Sequence, residues 1–133
     1  MTLHEFLALP HRFRWGGVGG DDCTTFCATW IAESIGIDPA EDLRGTYRTQ
    51  EGAQAILDGA GGIVALIEGR LPAGYVRTEA PVDGDIGVVR LPVAEGDIKE
   101  IGAIRFGPLW LVLAPAGVAA KKADFVAAWR FAE

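Results

Sequence analysis

The spacing of apolar residues along this chain changes once, near residue 75, and the change predicts the order of its elements. Cys23, Phe26, Cys27, Trp30, Ile31 and Ile35 recur at helical spacing and form one stripe of a helix of about thirteen residues. Asp21 and Asp22 supply its N-cap and complement its dipole, and Gly36 ends it. Residues 2–9 predict a shorter helix, capped by Thr2 and stopped before Pro10. Two further helices are expected over residues 50–57, capped by Thr49, and 62–67, ending at Gly69. After residue 75 the helical period disappears. Short β-rich or apolar runs follow at 86–91, 98–106, 109–114, 117–120 and 125–131, separated by Gly, Pro and Asp, with 92–97 as an exposed hairpin loop. Helices first and strands second predict an α+β domain, with the N-terminal central helix packed on a small antiparallel β-sheet.

Length and charge narrow this picture. A chain of 133 residues without repeat, low-complexity tract or linker reads as one domain over 1–133. Half of it is apolar and 23% charged, which excludes disorder as the default. A net charge of −6 argues against a nucleic-acid groove, which needs a clustered basic face. The longest apolar stretch, 104–115, is interrupted by Arg105, Gly107 and Pro108, so no membrane insertion is expected. Residues 1–15 show no apolar core and no small-residue cleavage site, hence no secretory signal.

The two cysteines stand four apart. On a helix their Cβ atoms would be about 5–6 Å apart, beyond the roughly 3.8 Å that a disulfide prefers. His4 and His11 make no metal-ligand spacing with them. Both thiols are therefore expected to be free, with no metal and no cofactor.

Cys23 is the candidate for chemistry. A cysteine nucleophile needs a helix N-terminus to lower its pKa, a base to take its proton and backbone N–H groups to receive an oxyanion. Trp15, the glycine-rich loop ending at Gly20, and Asp22 lead directly into Cys23 as the first helical residue. This arrangement provides the first aid and offers the third. Other uses of the same residues fit less well. A phosphate cradle would require the Lys-Ser/Thr pair that is missing here, and Asp21 and Asp22 would repel phosphate. Capping and turn roles account for Asp21, Asp22 and Asp85 more simply than a carboxylate pair or calcium site. Core or interface packing is the expected use of Trp15, Trp30, Trp110 and Trp129, and Cys27 is expected to be a buried small hydrophobe. Arg44 and Tyr47, in the loop after the main helix, either hold that loop or contact a partner.

The segment Asp22-Cys23-Thr24-Thr25-Phe26, preceded by Trp15-Gly16-Gly17, resembles the nucleophile entry of NlpC-type, papain-like cell-wall cysteine peptidases, which carry Asp-Cys-Ser-Gly-Leu/Phe there. Gly84-Asp85-Ile86-Gly87-Val88-Val89 resembles that family's Pro-Gly-Asp turn into the first core strand. Over nearly the whole length, the chain is similar to small, largely uncharacterised phage and prophage tail-module proteins of this type. Their pattern appears here as Trp15-Gly16, Asp22-Cys23, Gly36-Ile37-Asp38-Pro39-Ala40, Leu43-Arg44-Gly45-Thr46-Tyr47, Gly84-Asp85 and Ala128-Trp129-Arg130. The resemblance implies a papain-like fold, with Cys23 at the nucleophile position.

One departure decides between activities. Active members open the second core strand with a histidine in a His-Val-Gly-Ile pattern, and a polar residue on the next strand orients it. Here Glu100-Ile101-Gly102-Ala103-Ile104 puts Glu100 at the position of the family histidine, and Leu109–Leu113 offers no orienting side chain. With reference pKa values of about 4.3 and 8.5, moving a thiol proton to a glutamate is uphill by roughly 5–6 kcal/mol. A carboxylate nearby, Glu100 or Asp22, also raises the thiol pKa. His11 lies upstream of the glycine loop, where the family places no catalytic residue. Two readings follow from the resemblance. In the first, the chain is a degenerate peptidase homologue, a pseudoenzyme built into a phage tail tip or hub. It would be made in the host cytoplasm and contact other tail-tip, hub or distal-tail proteins. In the second, it is an active cysteine-type murein (peptidoglycan) endopeptidase that uses Cys23 during genome entry. The vacant base favours the first.

Overall fold

The computed structural model describes residues 1–92 and 96–132 of the chain. Among them are four helices, α1 (Leu3–Leu7), α2 (Cys23–Ile35), α3 (Gln50–Ala60) and α4 (Ile63–Arg70). Six strands follow: β1 (Tyr75–Arg77), β2 (Ile86–Pro92), β3 (Ile98–Phe106), β4 (Leu109–Ala114), β5 (Gly117–Lys121) and β6 (Asp124–Phe131). The strands form one antiparallel sheet in the order β1-β6-β2-β3-β4-β5. The α+β class and the helix-then-strand order are as the apolar spacing predicts.

Local signals set the helices. Thr2 and Glu5 form a reciprocal capping box on α1, which ends at Leu7, two residues short of the expected limit. On α2, Asp22 accepts from the backbone N–H groups of Thr24 and Thr25 while Thr25 returns its hydroxyl to the N–H of Asp22. Gly36, at φ +78°, closes the helix in the left-handed region. α3 runs three residues beyond its expected end, because the tandem glycines at 61 and 62, both with positive φ, are what stop it. α4 begins one residue later than expected and continues through Gly69 to Arg70. A glycine inside a helix costs stability but does not end it without a left-handed turn.

The sheet has two buried faces. Phe26, Cys27, Trp30 and Ile31 of α2 pack with Ile86, Val88, Ile104 and Leu111 on the inner face. Val89, Ala103, Trp110, Val112 and Ala128 form a second cluster on the outer face. β1, a three-residue edge strand paired with β6, has no counterpart in the apolar spacing. The other strands fall within a residue of their expected limits. Pro92 opposite Ile98 closes the expected hairpin, whose residues 93–95 lie outside the described residues.

Candidate functional site

Cys23 is the first residue of α2, and its cap sets its surroundings. Besides the two helical N–H groups, Asp22 accepts from the N–H of Gly16 at 3.3 Å and from the hydroxyl of Tyr47. The capping carboxylate thus joins the glycine loop, the helix and the loop after it. Tyr47 feels the arrangement in return: burial and the bond to Asp22 push its phenol far above the ordinary range.

Arg44 completes the frame. Its guanidinium reaches Asp38 at 2.7 Å, Asp21 at 2.9 Å, the carbonyl of Gly17 at 3.0 Å and the hydroxyl of Thr29 at 3.0 Å. Asp21 was expected to cap α2. It instead pairs with Phe13 in an isolated β-bridge and spends its carboxylate on Arg44 and Thr29, so Asp22 alone caps the helix. Asp85 likewise does more than shape a turn, because it accepts from the N–H of Val82 and forms an ion pair with Arg130 at 2.9 Å. Arg44 and Tyr47 therefore hold the loops around Cys23. The sequence placed both in the loop after α2 but carried no signal for their partners Gly17, Asp21 and Asp22, which lie far away along the chain.

The glycines of the loop serve the same frame. A Cβ on Gly16 would lie 2.1 Å from the carbonyl oxygen of Tyr47, and one on Gly20 would lie 2.4 Å from that of Arg12. Their close approach is to their own chain. Trp15 stacks edge-on against Phe13 and lines the cavity beside Cys23.

That cavity measures about 670 Å³ and is bordered by α2, α3, α4, β3 and β4. Its walls are mainly aliphatic, and Cys23, Tyr47 and Glu100 all border it. Gly102 lies against the start of α2. A Cβ there would stand 3.2 Å from the carbonyl oxygen of Cys23 and 3.3 Å from Sγ of Cys27. Glu100, two residues earlier on β3, lies on the strand that crosses the Cys23 turn. It is exposed, and its carboxylate faces Arg90 across the β2–β3 pair at 3.6 Å.

The thiols are both free. Cys23 as a residue is half-buried, but burial of its sulfur, followed by the charge of Asp22, pushes the thiol up to about 11. The opposing carboxylate is thus the cap. Cys27 is buried, with its thiol raised further, and donates to the carbonyl of Cys23 at 3.7 Å. Neither histidine reaches the site. The His11 ring packs on Phe6 and Phe26 with Nε2 bonded to the carbonyl of Phe6, and His4 packs on Phe106. No group of three or more metal-ligating side chains occurs among the described residues.

The site is thus a thiol at a helix N-terminus, held by a polar frame beside a largely apolar cavity in an α+β domain. The chain belongs to the family described as Domain of unknown function (DUF6950), whose model matches residues 2–131. No curated protein and no solved structure matches it.

Proposed function

We propose that this chain is a papain-like, NlpC-type domain that has lost its catalytic base and serves as a structural component of a phage tail tip or hub. One observation carries the loss of activity. Cys23, the first residue of α2, has its thiol pushed up to about 11, and the strand that crosses this turn carries Glu100, which faces Arg90. A thiol so raised is almost wholly protonated at neutral pH, and a glutamate is too weak a base to correct that.

The tail-tip assignment rests on the resemblance of the motifs. What supports it is that these motifs bond to one another. Arg44 bonds to both Asp38 and Asp21, Tyr47 bonds to Asp22, and Arg130 bonds to Asp85. Bonds of this kind maintain a shape around the cysteine whether or not it reacts.

A working murein endopeptidase is the rival reading, favoured by the large cavity that borders Cys23. Two measurements separate the readings. The structural role predicts a few copies in washed particles, crosslinked to hub or distal-tail proteins, and no new amine ends released from murein. Cys23-dependent murein cleavage by the unmodified protein would establish the rival.

A further inference from the structure

Leu43 in the loop after α2, Ile56 on α3 and Leu66 on α4 pack in neither apolar cluster among the described residues. All of them border the cavity of about 670 Å³ on its helical side, as do Ala28 and Ile31 of α2. Ala53, Ile56 and Leu57 fall on one face of α3 and also border it, yet no residue of α3 is buried. The main neighbour of α3 is α4. Its apolar face therefore looks into the cavity with little core behind it.

We propose that the helical part of this cavity, between α2, α3 and α4, holds the alkyl chain of a fatty acid, with the polar head left in solvent. A volume of about 670 Å³ is that of a small-molecule site. The walls there are helices, whose backbone groups bond within the helix. An extended peptide would bring N–H and C=O groups that find no partner on such walls, at a cost that an alkyl chain escapes. A helix satisfies its own backbone, but at about 10–12 Å across, even about two turns of it exceed the space.

Charge agrees with an uncharged chain. The polar side chains beside these walls are already engaged: Tyr47 with Asp22, Gln54 with Asp58, and Arg70 with Asp42 and the carbonyl of Pro39. They leave no free charge to meet a buried charged group, so the head stays at the opening. The site goes beyond the structural role proposed above and does not depend on it.

The test is displacement of a fluorescent fatty acid from the full-length protein by saturated fatty acids of increasing length, each below its micelle concentration. Affinity rises by up to about fourfold per added methylene and levels off once the cavity is full. Ile56→Asn, at a half-buried position outside both clusters, weakens binding by at least about tenfold. Ala53→Phe, which fills part of the cavity, moves the levelling-off to shorter chains and keeps the test decisive if Ile56→Asn fails to fold. No displacement, an affinity independent of chain length, or a levelling-off that Ala53→Phe leaves in place overturns the site. Displacement by an extended or helical apolar peptide and by no fatty acid overturns it as well. Cys23-dependent murein cleavage would remove the structural role and leave this result standing.

Discussion

Tyr47 donates its phenolic hydrogen to Oδ2 of Asp22, the residue that caps α2 one position before Cys23. The same carboxylate that starts the helix is thereby tied to the loop after it, and its charge raises the neighbouring thiol. Tyr47→Phe removes one hydrogen bond to a charged, buried acceptor and little else. A loss of about 1–2 kcal/mol of folding stability is expected, measured by urea unfolding.

Arg44 is a second, separable support. Arg44→Met should cost about 2–3 kcal/mol, a buried-pair loss discounted for the partial exposure of the guanidinium. Arg44→Lys should recover only part of it, because an ammonium cannot reach Asp38, Asp21 and Thr29 together.

This network also predicts a pH dependence. Burial would raise the Asp38 carboxyl, but the Arg44 bond and the N–H of Ala40 overcome it and hold the group below its ordinary value. A depressed folded-state pKa contributes stability that is present above the unfolded value, about 3.9, and is lost as pH falls through the folded value. The unmodified protein should therefore lose stability on acidification below about pH 4 more steeply than Arg44→Met. Unfolding midpoints collected from neutral pH downward check this, and parallel profiles would contradict it.

Much of this was legible in the sequence. The stripe from Cys23 to Ile35, the Asp22 cap and Gly36 fix α2 from adjacent residues, and alternation with turn residues sets the limits of β2 to β6. The long-range partners were not legible. Nothing near Arg44 in sequence says that it meets Asp21 and Gly17, because those bonds form only when the loops on either side of α2 come together. β1 was missed for a related reason: three mostly exposed residues make a strand only through pairing with β6.

Gly87 tests the outer face of the sheet. A Cβ there would stand 2.5 Å from Cη2 and Cζ3 of the buried Trp110 ring. Gly87→Ala should cost about 1–3 kcal/mol through overpacking. The double variant with Trp110→Phe, which withdraws those ring atoms, should lose less than the sum of the single changes in a double-mutant cycle. Trp110 also has a buried indole N–H without a partner, so the shorter ring removes an unsatisfied donor as well.

Asp22→Asn keeps an oxygen acceptor for the N-cap and removes the charge. The Cys23 thiol should titrate lower than in the unmodified protein, yet still above its ordinary value of about 8.5, because burial is the larger cause. Site-resolved alkylation against pH reads this shift. A midpoint that Asp22→Asn leaves unmoved would show that the cap charge does not reach the thiol.

The same titration on the unmodified protein bears most directly on the loss of the catalytic base. Iodoacetamide labelling of Cys23, resolved from Cys27 by peptide mass spectrometry, should rise only in strongly alkaline solution, with a midpoint near 11. Labelling already complete at about pH 6–7, the behaviour of an activated nucleophile, would contradict the account.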